Sequence, residues 1–211
     1  MRTSSIFQPD EVAARAMFDE HPLAQIFSWH GGDAAATPLP LLVNWSKDGA
    51  PRVTSVVGHF GRTNPQLDII ARNPQALITF MGHHSYVSPS WLDDRTQAPT
   101  WNYATAHLVV DIALMDTPAA ARAAVDRLTA HMEAGRLQAW HRDEMGARYE
   151  QLVRGVIAFE GRVVDARYKF KLGQNERPDV LRDILDGLAS EGRHDLRKWM
   201  IAQNSGRLES V

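Results

Sequence analysis

The sequence predicts a fold that is mainly β with α: an antiparallel β-barrel with helices packed outside it. Three observations lead there. Short apolar stretches in the first half are separated by hairpin-type turns. One well-marked helix and a long late strand come next, and two further helices close the chain. No internal repeat, low-complexity tract or linker divides the 211 residues. A single domain over 1–211 is expected, with a helical C-terminal extension over about 178–211.

The elements follow in order. Asp10 is a plausible N-cap, after which Val12, Ala13, Ala16 and Met17 share one helical face. His21-Pro22 ends that helix, because a residue before proline avoids the helical region. Ala24 to Trp29 reads as a short strand closed by Gly31-Gly32-Asp33. Leu39 to Trp45 and Pro51 to Phe60 read as two strands joined by Lys47-Asp48-Gly49, a hairpin signature. Asn64-Pro65 should open a short helix, and Asn73-Pro74 should break it. Ala76 to Val87 and Trp101 to Met115 are strands flanking a polar loop. Asp116-Thr117-Pro118 starts a helix with Ala121, Val125, Leu128 and Met132 inward, ending by Gly135. A second helix covers Glu144 to Arg154. Strand character returns from Val156 to Leu172, where Ala166, Tyr168, Phe170 and Leu172 alternate with Arg167, Lys169 and Lys171. In a strand this places three cations on one face. Helices over Pro178 to Leu188 and His194 to Asn204 finish the chain.

Composition narrows the function classes. Hydrophobic content of 44% and mixed charge mark a globular chain. A net charge of -2 gives no global basic footprint, so DNA contact is possible but unsupported by charge. The absence of cysteine removes disulfide and thiolate chemistry. No apolar run is long enough to span a bilayer and the start lacks a leader-like apolar core, so a cytoplasmic protein without membrane contact is expected.

The polar loop carries the densest chemistry. Its ends, Ser88-Pro89-Ser90-Trp91 and Pro99-Thr100-Trp101-Asn102, each set a proline beside a hydroxyl residue and a tryptophan. Fixed backbone, hydroxyl donors and flat indoles suit a planar heteroaromatic ligand with polar edges, and equally suit a packed loop. A second group is basic: His59, Arg62 and Asn64 near one strand end, with Lys169, Lys171, Gln174 and Asn175 late in the chain. There is no Gly-rich phosphate loop, so side chains would have to hold any phosphate. His83-His84 are adjacent and point to opposite strand faces, with no HxxxH pattern, and no metal site is expected.

Taken together, the motifs resemble the PaiB-type regulators, a family of FMN-binding proteins. The resemblance runs from His21-Pro22-Leu23-Ala24 through Gly58-His59-Phe60-Gly61-Arg62-Thr63-Asn64-Pro65-Gln66 and Tyr86-Val87-Ser88-Pro89-Ser90-Trp91. It continues with Pro99-Thr100-Trp101-Asn102-Tyr103 and His107, and closes on Lys169-Phe170-Lys171-Leu172-Gly173-Gln174-Asn175. Leu92 stands where the family usually has tyrosine, and Gly173 where it usually has serine.

The resemblance implies an antiparallel split β-barrel of the pyridoxamine-phosphate-oxidase-like kind, and a homodimer with FMN at the subunit interface. The cofactor residues it implies are His59, Arg62, Asn64, Tyr86, Ser88, Ser90, Trp91, Thr100, Trp101, Asn102, Lys169, Lys171, Gln174 and Asn175. Arg62, Lys169 and Lys171 would serve the phosphate, with Ser88 or Thr100 adding neutral donors. Trp101 and Tyr86 would flank the ring system, and Asn102, Gln174 and Asn175 would meet its polar edge. The expected role is a flavin-dependent sensor or transcriptional regulator; a flavin-dependent oxidoreductase is the alternative. No catalytic residue is assigned.

Overall fold

The structure is a computed structural model and describes residues 4–208. The last three residues of the expected C-terminal extension, 209–211, lie outside the described residues. The strands are β1 (Leu23–His30), β2 (Asp33–Pro40), β3 (Leu42–Trp45), β4 (Val53–Gly61), β5 (Gln75–Val87), β6 (Thr100–Met115) and β7 (Val156–Lys171). The helices among the described residues are α1 (Glu11–Glu20), α2 (Gln66–Arg72), α3 (Pro118–Glu133), α4 (Ala147–Val153), α5 (Pro178–Ser190), α6 (His194–Gln203) and α7 (Ser205–Leu208). All strands join one antiparallel sheet in the order β2-β1-β5-β6-β7-β4-β3. The fold is mainly β with α, as the sequence predicts.

Packing divides the chain into two compact units. The hairpin unit is His21–Phe80 with His107–Ala166; the loop unit is the described part of Met1–Glu20, Met81–Ala106 and Arg167–Val211. Strands β5, β6 and β7 contribute residues to both.

In the hairpin unit, one strand differs from expectation. Gly31-Gly32 does not merely close β1. It is the two-residue turn of a hairpin, with His30 opposite Asp33 and Leu23 opposite Pro40. The alanines at 34–36 carry little strand propensity, so pairing to β1 rather than local preference makes β2. Pro38 and Pro40 are tolerated because β2 is an edge strand. The single stretch expected at Leu39 to Trp45 is thus the end of β2 and the whole of β3. The Lys47-Asp48-Gly49 turn does join β3 to β4, with a register shift at Asn44/Trp45. β2 also packs against β4. Ile26, Val56, Phe60, Ile78, Phe80, Leu108, Val110 and Phe159 are buried in this unit, with the Phe60 and Phe159 rings 5.0 Å apart.

Thr117 caps α3 by accepting from the Ala120 amide, as its sequence position suggests. The inner face of α3 is shifted from expectation. Ala121 and Ala124 are buried, whereas Met132 is exposed. Ala121 packs with Tyr149 and Val153 of α4, and Val125 and Met145 flank them. These contacts bury the first half of α3, leaving the methionine at its far end outside. The helix expected from Glu144 to Arg154 is interrupted at Gly146, where φ is +55°, giving a 3₁₀ turn over Arg142–Met145 followed by α4.

In the loop unit, α5 presents the most clearly amphipathic face, burying Val180, Leu181, Ile184, Leu185 and Leu188. Phe170 of β7 stacks on Trp199 of α6 at 5.7 Å, and Asn204 donates to the carbonyls of Leu172 and Met200. These bonds fasten the end of β7 to the terminal helices.

Candidate functional site

The loop between β5 and β6 begins with a capped 3₁₀ turn. Pro89 opens it, and the Ser88 hydroxyl accepts from the Ser90 amide at 3.1 Å and shares a hydrogen bond with the Ser90 hydroxyl at 2.7 Å. The turn points Trp91 onto α5, where its indole lies against Gly187. Two polar ties hold the next residues. The Asp93 amide donates to Asp183 at 3.0 Å, and Arg177 donates to Asp94 at 3.0 Å. Hydrogen bonds from Thr96, then Gln97 and Arg177, pull the Asp94 carboxyl down to about 2. The loop is therefore pinned along its length, not draped.

Where β5 meets β6, two aromatics stay open to solvent: Trp101 is 53% and Tyr86 43% exposed, their rings edge to face at 6.1 Å. His84 lies beside Trp101 at 6.2 Å, while His83 turns away, 3.4 Å from Glu20 and edge-on to Trp199. Adjacent strand residues facing opposite ways account for the divergence.

The alternation at the end of β7 keeps Phe170 buried and leaves Lys169 and Lys171 partly open. The Lys171 ammonium donates to the Thr100 hydroxyl. Lys169 lies 5.6 Å from the centre of the Tyr103 ring and 5.8 Å from that of Phe7, within reach of the ring faces. Neither lysine has a carboxylate partner among the described residues.

The turn after β7 is built for itself. Gln174 donates to the Phe170 carbonyl and accepts from the Leu172 amide, and Asn175 donates to Glu176. Gly173 has φ +84°, and a β-carbon there would come 2.8 Å from Leu181. Only glycine is comfortable at that position in this chain. Asn102 is fully buried; its amide donates toward the Met200 sulfur at 3.6 Å, and its carbonyl oxygen has no partner among the described residues.

His59, Arg62 and Asn64 belong to the hairpin unit. Arg62 forms a two-pronged pair with Asp116, at 3.0 and 2.7 Å, and also donates to the carbonyls of Arg154 and Val156. The fork holds the Asp116 carboxyl below its ordinary range. The Asn64 side chain accepts from the Gln66 amide in the turn that leads into α2, whose N-cap is Pro65, and donates to Thr37. Gln66 continues the chain of bonds to Ile26 and Ser28. His59 is half-buried with Nδ1 unpartnered among the described residues, and desolvation lowers its pKa, favouring the neutral ring.

The chemistry of these groups separates cleanly. A phosphate monoester carries nearly two negative charges at neutral pH and wants cations with unused donors. Lys169 and Lys171 meet that description, and Thr100 adds a hydroxyl beside Lys171. Exposed Trp101 and Tyr86 offer faces to a planar ring. The loop unit thus holds a donor set that fits a flat, phosphorylated heteroaromatic such as FMN. Sequence reasoning missed the packing of Trp91 on Gly187 and the Arg177–Asp94 tie. A glycine inside the strongly amphipathic α5 was the available signal for the first; nothing in the sequence pairs Arg177 with Asp94.

Comparison with known proteins gives the class. Residues 1–165 match the family model described as "Putative FMN-binding domain", and the chain belongs to that family. It is an FMN-binding protein with the antiparallel split-barrel fold. Within the family it is of the PaiB type: it is 28% identical over 179 residues to "Protease synthase and sporulation protein PAI 2" of Bacillus subtilis, covering 82% of this chain and 81% of that one. Two solved structures share the fold. A conserved hypothetical protein from Mycobacterium tuberculosis has a TM-score of 0.58 at 9% identity, covering 81% of this chain and 91% of its own. An FAD- and haem-binding protein from Mycobacterium smegmatis has a TM-score of 0.53 at 20% identity, covering 85% and 79%. No helix among the described residues is long and apolar enough to cross a membrane.

Proposed function

We propose that this chain acts as one domain in a cytoplasmic homodimer that holds FMN at the subunit interface and serves as a flavin-dependent sensor or regulator. The observation that carries the reading is the pair of lysines on β7, both without acidic partners among the described residues, in the same unit as the exposed Trp101 and Tyr86. Lys171 and Lys169 would hold the phosphate, with Thr100 and Ser88 as neutral donors. Trp101 and Tyr86 would bound the ring and exclude water from its faces. Among the polar-edge candidates, Asn102 keeps a carbonyl oxygen without a partner among the described residues, but its side chain is fully buried on the strand face opposite Trp101 and takes no part in this reading. When bound, FMN supplies reversible electron transfer, and the chain's part is to bind and orient it.

Dimerisation is supported by apolar side chains left on the surface: Trp101 in the loop unit, and Leu23, Phe27 and Trp29 along the outer face of β1 in the hairpin unit. The relative's name connects it with sporulation and protease synthesis. For this chain we place any regulatory effect downstream of the flavin instead of in direct DNA binding. The C-terminal basic residues Arg193, Arg197 and Lys198 are interspersed with Glu191 and Asp195, in a chain of net charge -2.

One experiment tests the reading. The purified protein, loaded with FMN, should show the visible flavin spectrum and sediment as a dimer at micromolar concentration. Addition of a nicotinamide donor then separates the roles: an unchanged spectrum fits a sensor, while rapid bleaching with turnover establishes an oxidoreductase. A monomer that binds no flavin would end the proposal.

A further inference from the structure

We propose that Gly187, in the middle of α5, is a positioning residue for the flavin site: by admitting the Trp91 indole against the helix backbone, it fixes the turn that carries Ser88 and Ser90. The inference rests on the reading that this turn contributes a donor to the FMN phosphate.

The first support is steric. A β-carbon on Gly187 would lie 2.5 Å from Trp91 Cδ2 and 2.6 Å from both Cε3 and Cγ. Those atoms are the rigid root and fused edge of the indole, not the end of a flexible chain. Any side chain at 187 would push Trp91 out of its seat. The second support is energetic. Glycine inside a helix costs roughly 0.5–1 kcal/mol relative to alanine. Position 187 is buried, has no positive φ, and lies on the apolar face between Ile184 and Leu188, so neither a turn nor a cap calls for glycine there. The close approach of the indole does.

The third support is geometric. Trp91 is the last residue of the Pro89–Trp91 turn, three residues from Ser88, and the turn's internal bonds make it a short rigid piece. Moving the indole therefore moves both hydroxyls. Beyond Trp91 the same helix anchors the chain again, through Asp183 to the Asp93 amide and through Arg177, which precedes α5, to Asp94. Three contacts from one helix region converge on one side of the loop. That side is the one that starts from Ser88, so α5 sets where the hydroxyls stand. The helix lies beyond residues 1–165, the stretch that defines the family match.

The test compares FMN with riboflavin, which lacks the phosphate. Apoprotein is titrated with each flavin by fluorescence quenching, and its thermal unfolding is followed separately. Gly187→Ala should weaken FMN at least about tenfold, the size of one lost ligand hydrogen bond with its geometry. Riboflavin should change much less, and unfolding should remain cooperative. In a Trp91→Ala background, Gly187→Ala should have no further effect, because no indole remains to displace. Equal losses for both flavins, an unchanged FMN affinity, or a full additional loss in the Trp91→Ala background would each overturn the proposal. Should Gly187→Ala fail to fold, Arg177→Ala at the surface takes its place. It should narrow the FMN preference in the same direction by a smaller factor, and no narrowing overturns the proposal. Lys171→Ala is measured alongside. If it leaves the FMN preference intact, the phosphate reading itself fails and this inference with it. If it narrows the preference while Gly187→Ala does not, only this inference fails.

Discussion

Arg62 and the two lysines of β7 occupy comparable places in the sequence argument, and the structure treats them in opposite ways. Arg62 sits in the hairpin unit with its fork closed on Asp116 and two more N–H donors on the carbonyls of Arg154 and Val156. Lys169 and Lys171 sit in the loop unit with a ring face and a hydroxyl for company, and no carboxylate partner among the described residues. The Arg62–Asp116 pair is solvent-exposed and worth little by itself, but an anion brought to Arg62 would also meet the Asp116 carboxylate, whose charge opposes it. A cation held by weaker neutral contacts exchanges them at little cost. The comparison teaches that residue type nominates a phosphate ligand, but its existing partners decide whether it is available.

The largest expected effect breaks this comparison directly. Lys171→Ala should reduce the preference for FMN over riboflavin by roughly 1–3 kcal/mol, the scale of a charge-assisted hydrogen bond. Arg62→Ala should leave that preference unchanged. Flavin titration of both variants checks it, and a larger loss in Arg62→Ala would reverse the assignment. A smaller effect sharpens the picture. Trp101→Ala should weaken FMN and riboflavin by similar factors, about 1 kcal/mol for a lost ring contact, because stacking does not sense the phosphate. A change in the ratio of the two affinities would show that Trp101 belongs to the phosphate end.

Much of this was legible in the sequence, and the exceptions have a common cause. The alternation in Ala166 to Leu172 marks Phe170 and Leu172 as buried, because strand periodicity is local, while Ala166 and Tyr168 of the same set are only partly buried. The Asn64 turn and the Thr117 cap are readable for the same reason: each side chain bonds to a backbone amide two or three residues away. β2 was hidden because its alanines and prolines become a strand only by pairing with β1. Met132 was misplaced because helical period gives a face but not how far along the helix its packing partners extend. At the site, the sequence nominated Arg62 and the lysines alike, since nothing near Arg62 reveals a bond to Asp116, fifty-four residues on. Gln174 reads as a ligand donor, yet it closes its own turn on Phe170 and Leu172. Local patterns survive reading one residue at a time; long-range partners do not.

The smallest expected effect concerns His59, and it tests whether the hairpin unit could ever supply a cation by titration. Desolvation lowers the His59 pKa below its ordinary 6.5, and among the described residues no carboxylate pairs with it to oppose that shift. The ring is neutral at pH 7, so His59 adds no charge to Arg62's side of the comparison. The sign of the linkage follows. Below the unfolded value the unfolded chain binds a proton more readily than the folded one, so acid favours unfolding. The stability due to the neutral ring is fully present above about pH 6.5, the unfolded value, and is lost as pH falls through the lower, folded value. Denaturant unfolding measured from pH 8 to pH 5 should therefore show a shallow decline on the acid side, and His59→Gln should flatten it. FMN affinity over pH 7 to 8 should be the same in His59→Gln as in the unmodified protein, since a neutral imidazole brings no positive charge to a phosphate and glutamine keeps a neutral N–H donor. A loss of FMN preference in His59→Gln at pH 7.5 would mean that the hairpin unit supplies the phosphate contacts after all, and the division between committed and available cations would have to be redrawn around His59.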